Sequence, residues 1–124
     1  MDKTEESFLV NRIKSVGFAF KGMIHLLKTE ASIKVQFSLA LIMIALGIYF
    51  EISSIEWMLQ TFAVSLVMSI EGLNTAVEKI ADFIHPDHHP KIGIIKDIAA
   101  GAVFIASFAA ITVSCLIYIP KFMA

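Results

Sequence analysis

Glu71, Asn74, Thr75, Glu78 and Asp82 stand 0, 3, 4, 7 and 11 positions along one stretch. That spacing sets their side chains on one face of a helix. Leu73, Val77, Ile80, Ala81 and Phe83 fill the other faces. The stripe joins hard carboxylate oxygens to amide and hydroxyl groups, a set suited to binding a cation or accepting a proton. It continues an apolar run that begins at Trp57. An acidic side chain at mid-membrane costs roughly 2.5–3.5 kcal/mol on insertion scales, so such a stripe is expected to serve a purpose.

The elements that position these residues belong to a membrane. The 124 residues are 57% hydrophobic, with a mean hydropathy of +0.78 and a single cysteine, Cys115. That composition excludes an ordinary soluble domain, and one cysteine excludes an internal disulfide. Asp2 to Glu6 are acidic and polar, unlike the basic start of a cleaved signal peptide. One domain, residues 1–124, is expected. Leu9, Ile13, Val16, Phe20, Met23 and Leu27 recur at spacings of 4 and 3, with Lys14, Lys21 and Lys28 along the border. This predicts an amphipathic helix over about 6–29 lying in the membrane interface.

Three spans are then expected, over about 32–50, 57–84 and 97–119. Glu30 and Lys34 sit one turn apart at the mouth of the first. Glu51 to Glu56 forms a polar link without a basic residue, and Trp57 stands at the membrane boundary. His85-Pro-Asp-His-His-Pro90 breaks the second span, and Pro120 ends the third. Basic residues precede the first span and cluster at Lys79–Lys96. The positive-inside rule therefore places the N-terminus and His-rich loop in the cytoplasm and the C-terminus outside. Three helices are too few to enclose the carboxylate stripe, so an oligomer is expected.

The stripe so placed faces the side where nucleotides are. Glu30 and Glu78 suit Mg²⁺, which takes one or two carboxylates together with substrate phosphates. Glu71, deeper on the stripe, suits proton abstraction from a hydroxyl arriving through the lipid. Lys96 and the start of the third span supply positive charge for phosphate. The loops of soluble nucleotide-binding enzymes, GxxxxGK[ST] and GxGxxG, are absent. Adjacent loop histidines such as His88 and His89 lack zinc-ligand spacing. Spacing alone leaves transport, helix packing and catalysis open.

Glu71-x-x-Asn74-Thr75-Ala76-x-Glu78-x-x-x-Asp82, followed by Lys96-Asp97-x-Ala99-Ala100-Gly101-Ala102-Val103, resembles the prokaryotic diacylglycerol kinase and undecaprenol kinase family of small trimeric membrane enzymes. Ile55-Glu-Trp-Met58, the His88-His89-Pro90 loop and Ile119-Pro-Lys121 look more like the undecaprenol kinase branch. The resemblance implies an all-α fold, a surface helix followed by three transmembrane helices, in a homotrimer with shared active sites. It implies a bacterial cytoplasmic membrane location and γ-phosphoryl transfer from ATP, with Mg²⁺, to a membrane lipid alcohol, undecaprenol or diacylglycerol. No nucleic-acid partner is expected. Glu71 matches the catalytic carboxylate, and Glu30 and Glu78 match the two that bind Mg²⁺. Lys96 and Asp97 match ATP contacts, while Asp87, His88 and His89 occupy its loop segment. Asn74 and Asp82 match further polar positions. Asn11 stands where the enterobacterial form has arginine, although Arg12 is adjacent, and Phe18 replaces a tyrosine. Both fall on the N-terminal nucleotide or lipid contacts. The rival readings are a small oligomeric proton- or cation-coupled transporter and a non-catalytic membrane subunit. A transporter has no need of Glu30, Lys96 and Asp97 at the cytoplasmic end. A packing subunit has no need of carboxylates rather than amides.

Overall fold

In a computed structural model, residues 7–124 are described and form helices alone: α1 (Phe8–Thr29), α2 (Ala31–Tyr49), α3 (Ser54–Ile84) and α4 (Pro90–Met123). Asp2 to Glu6, which includes the expected first residue of the surface helix, lie outside the described residues. Ser7 caps α1, its hydroxyl accepting from the Val10 N–H at 3.1 Å. No residue of α1 is buried, and its stripe of Leu9, Ile13, Val16, Phe20 and Met23 is exposed. A single extended residue, Glu30 (φ −102°, ψ 116°), separates α1 from α2.

Two helices, α2 and α4, are long and apolar enough to cross a membrane. Helix α3 is long enough, but it carries the carboxylate stripe. Residues 50–53 and 85–89 make the links to α3, short enough that α2, α3 and α4 must run antiparallel. Lys121–Glu56, Tyr118–Gln60 and Lys96–Asp82 contacts follow in reverse order along α4, as that arrangement requires.

The tightest packing lies at the 50–53 end. Ile52, Ile117 and Tyr118 are buried there, with Met43, Leu46, Phe50, Trp57 and Val113 against them. Gly47 makes this possible, since a Cβ at that position would stand 2.6 Å from the Trp57 ring. Trp57 therefore packs inward on α2 as well as standing near the expected boundary. Two polar groups are buried among these side chains. Tyr118 donates to Gln60 Oε1 at 2.5 Å, and Gln60 Nε2 donates to the Met43 carbonyl at 3.1 Å. Pairs of this kind hold helices together where no water is available.

Two element boundaries differ from the sequence expectation. Helix α3 starts at Ser54, because Ser53 and Glu56 form a capping box: the Ser53 hydroxyl accepts from the Glu56 N–H, and Glu56 accepts from the Ser53 N–H. Helix α4 runs from Pro90 through Pro120 to Met123. Proline opens it at a position where no N–H is needed. Its last turn persists past Pro120 because Lys121 bonds Glu56 at 3.0 Å and the Phe122 ring meets Phe50 edge-on, ring centroids 4.9 Å apart.

Candidate active site

Glu71 is 8% exposed on α3. Its Oε2 accepts from Asn74 Nδ2 at 3.1 Å, the one-turn contact that their spacing predicts. Asn74 Oδ1 is buried with no protein partner, an acceptor available to an incoming donor. Val64, Val67 and Met68 precede Glu71 on the same face and line an apolar cavity of ≈ 250 Å³ between α2, α3 and α4.

Glu30 owes its position to the break between α1 and α2. Its backbone N–H completes the last turn of α1 by donating to the Leu26 carbonyl at 3.0 Å. Its carbonyl begins α2 by accepting from the Lys34 N–H at 3.1 Å. The ion partner of its carboxylate is Lys79 of α3, at 3.9 Å, rather than Lys34. That contact brings Glu30 to the turn of α3 that carries Glu78, an exposed residue. Glu30 at the α1–α2 break and Glu78 on α3 would offer a hard, incomplete donor set. Such a set fits Mg²⁺ carried on phosphates better than a closed protein cage. Among the described residues no group of three His, Cys, Asp or Glu side chains converges on a metal position.

A third grouping closes the α3–α4 hairpin. Asp82, Asp87, His88, His89 and Lys96 line one cavity of ≈ 110 Å³, together with His85 and Gly93. Lys96 Nζ donates to Asp82 Oδ1 at 2.5 Å. His85 donates from Nδ1 to the Asp87 carbonyl at 2.7 Å, and His89 Nδ1 caps α4 by accepting from the Lys91 N–H at 3.1 Å. Lys96 thus stands two turns inside α4, not at its start, and reaches back to α3. Asp97 is exposed on α4 outside this cavity. Asn11 and Phe18 lie on exposed faces of α1. Phe18, 68% exposed, touches Lys21, whose Nζ is 5.8 Å from the ring centroid.

A groove of ≈ 960 Å³ runs between α1, α2 and α3. Gly22, Leu26, Phe37, Met68 and Gly72 line its apolar walls, and Lys79 stands in its lining on the Glu30 side. Gly72 keeps the wall thin, since a Cβ there would meet Leu26 at 3.2 Å. Sequence reasoning missed Lys79. Its signal was a lone cation set beside Glu78 on an otherwise acidic and apolar helix.

The family profile for prokaryotic diacylglycerol kinase matches residues 17–118. The chain belongs to that family. It is 34% identical over 122 residues to an undecaprenol kinase of Bacillus subtilis, covering 98% of this chain and 99% of that protein. It is 30% identical over 105 residues to a diacylglycerol kinase of Escherichia coli, covering 85% and 86%. A diacylglycerol kinase of Haemophilus influenzae is 35% identical over 98 residues, covering 79% and 83%. The protein is accordingly a membrane lipid kinase that uses ATP, and the transporter reading is set aside.

Proposed function

We propose that this protein transfers the γ-phosphoryl group of ATP, with Mg²⁺, to the hydroxyl of undecaprenol, with diacylglycerol as the poorer acceptor. The observation that carries the reading is the position of Glu30. Its carboxylate meets Lys79 at 3.9 Å, and Lys79 lines the ≈ 960 Å³ apolar groove. A hard-donor site thereby adjoins a space sized for a lipid chain. A relative that aligns over 99% of its own length is an undecaprenol kinase, which favours that acceptor.

Glu71 is the base. Asn74 holds its Oε2, which leaves Oε1 to take the proton as the lipid oxygen bonds to the γ-phosphorus. The bond from that phosphorus to the bridging oxygen breaks, and ADP departs. Glu30 and Glu78 would hold Mg²⁺, which when bound would supply charge neutralisation for the transferred phosphoryl. Lys96, His88, His89 and the start of α4 form the cationic and polar wall of the nucleotide site, with Asp87 in its loop. Asp82 fixes the Lys96 ammonium, and Asp97 reaches the nucleotide from the exposed face. Asn11 and Phe18 meet the nucleotide or lipid from α1.

In this reading α1 is the surface helix and α2, α3 and α4 are three spans of one domain, which two ion pairs between α3 and α4 support. Glu56 and Asp82 stand 26 positions apart on α3, about 39 Å along a helix. Both pair with lysines of α4, Lys121 and Lys96. A bilayer measures about 40–45 Å including headgroups, so each pair falls at one interface. The Asp82 end, with its histidines and lysines, is cytoplasmic, the Glu56 end is outside, and the membrane is the bacterial cytoplasmic membrane. A homotrimer with shared sites covers the exposed faces of α3. The acceptor is tested by incubating the purified protein in micelles with labelled ATP and equal mole fractions of undecaprenol and diacylglycerol. Faster labelling of undecaprenol is expected. Faster labelling of diacylglycerol contradicts the acceptor assignment.

A further inference from the structure

Lys79 has no role in the account above beyond marking where Glu30 lies. Glu30 is held at the α1–α2 break and its side chain makes no capping bond. Lys79 is the cation within 4 Å of it. The carboxylate is the enclosed partner, 27% exposed, and the lysine the open one, 62% exposed. An ammonium so placed offsets the carboxylate's charge, yet an exposed pair at this distance contributes only about 0.2–1 kcal/mol. It yields readily to a divalent ion. The stem of a lysine is flexible and its head is a compact point charge, so the displaced ammonium has somewhere to go. Lys79 follows Glu78 directly and lines the apolar groove. An ammonium that leaves Glu30 therefore stays next to Glu78 in sequence and in the lining of the groove.

We infer that Lys79 is a resident counter-ion of the metal site: it neutralises Glu30 until Mg²⁺ arrives, then gives way and becomes a positioning cation for the triphosphate. The inference rests on the assignment of Glu30 and Glu78 as Mg²⁺ ligands. It makes two effects of opposite sign from one substitution. Without Lys79 the metal alone binds more tightly, because nothing competes for Glu30. The nucleotide binds more weakly, because a cation beside its phosphates is gone.

The test uses the full-length protein in micelles without nucleotide, with Mn²⁺ in place of Mg²⁺ and free Mn²⁺ followed by electron paramagnetic resonance. Lys79→Met is expected to tighten Mn²⁺ binding about two- to fivefold, the range of an exposed ion pair. Lys79→Arg, which keeps the charge, is expected to stay near wild type. In assays with ATP, Lys79→Met is expected to raise KM about threefold or more with kcat little changed, the signature of lost uniform binding. Unchanged or weaker Mn²⁺ binding in Lys79→Met overturns the inference. Glu30→Gln separates the two levels of the argument. If it loses Mn²⁺ while Lys79→Met matches wild type, the metal assignment stands and the counter-ion role falls. If Glu30→Gln binds Mn²⁺ as wild type does, the metal assignment falls and takes the inference with it.

Discussion

At the scale of single residues, the proposed chemistry rests on a buried carboxylate, Glu71, and its amide neighbour, Asn74. Asn74 Nδ2 holds Glu71 Oε2 at 3.1 Å, so under the proposed mechanism Asn74 orients the base. Replacing it with alanine removes the hydrogen bond and is expected to lower kcat about tenfold, with KM for ATP unchanged. Steady-state rates with each substrate varied in turn check the split. Gly47 is a second point of leverage, because an alanine Cβ would stand 2.6 Å from the Trp57 ring. Gly47→Ala is expected to destabilise the fold by about 1–3 kcal/mol, read as a lower thermal midpoint in micelles. The helical spacing of Glu71, Asn74 and Glu78 made this stripe legible in the sequence. The partner of Glu30 was not legible. Local spacing pointed to Lys34 one turn away, whereas the break at Glu30 turns its side chain across to α3 and Lys79.

At the scale of elements, α3 and α4 are joined at both ends by ion pairs of different character. At the 50–53 end Glu56 accepts from the Ser53 N–H and pairs with Lys121 at 3.0 Å. The backbone donor first, and the lysine second, hold its carboxyl below its ordinary 4.5. Its pKa is thus lower folded than unfolded, so its stabilisation is complete above the ordinary value and is lost as pH falls through the folded one. Thermal stability in micelles is expected to be flat from about pH 7 to about pH 5 and to fall below that, with Glu56→Gln flattening part of the decline. Glu51, in the link before α3, has φ 50°, a left-handed conformation that a side chain disfavours. Glu51→Gly is expected to raise the thermal midpoint by an amount equivalent to up to about 1 kcal/mol. The all-helical character was legible because apolar runs at helical spacing and the His-Pro loop mark out the segments. The ends of α3 and α4 were not, since the Ser53–Glu56 cap and the turn retained beyond Pro120 depend on contacts between segments far apart in sequence.

At the scale of the whole molecule, most large apolar side chains face outward, among them Phe62, Phe104, Phe108 and Leu116. In a membrane protein those faces meet lipid tails or other subunits rather than water. The inside is held instead by small contact points: Gly47 under Trp57, Tyr118 on Gln60, and an ion pair at each end of α3 and α4. This leaves an open apolar groove beside Glu30, where α1 meets α2 and α3. Under the proposed function that groove takes the lipid chain. The central claim is that Glu71 carries the proton transfer and Glu78 the metal–nucleotide. It is tested most directly by measuring lipid phosphorylation and ATP binding in parallel for wild type, Glu71→Gln and Glu78→Gln. The account predicts that Glu71→Gln loses about 10²–10⁴ in kcat while ATP affinity stays near wild type, and that Glu78→Gln loses metal-dependent ATP affinity. Undiminished lipid phosphorylation in Glu71→Gln would contradict it.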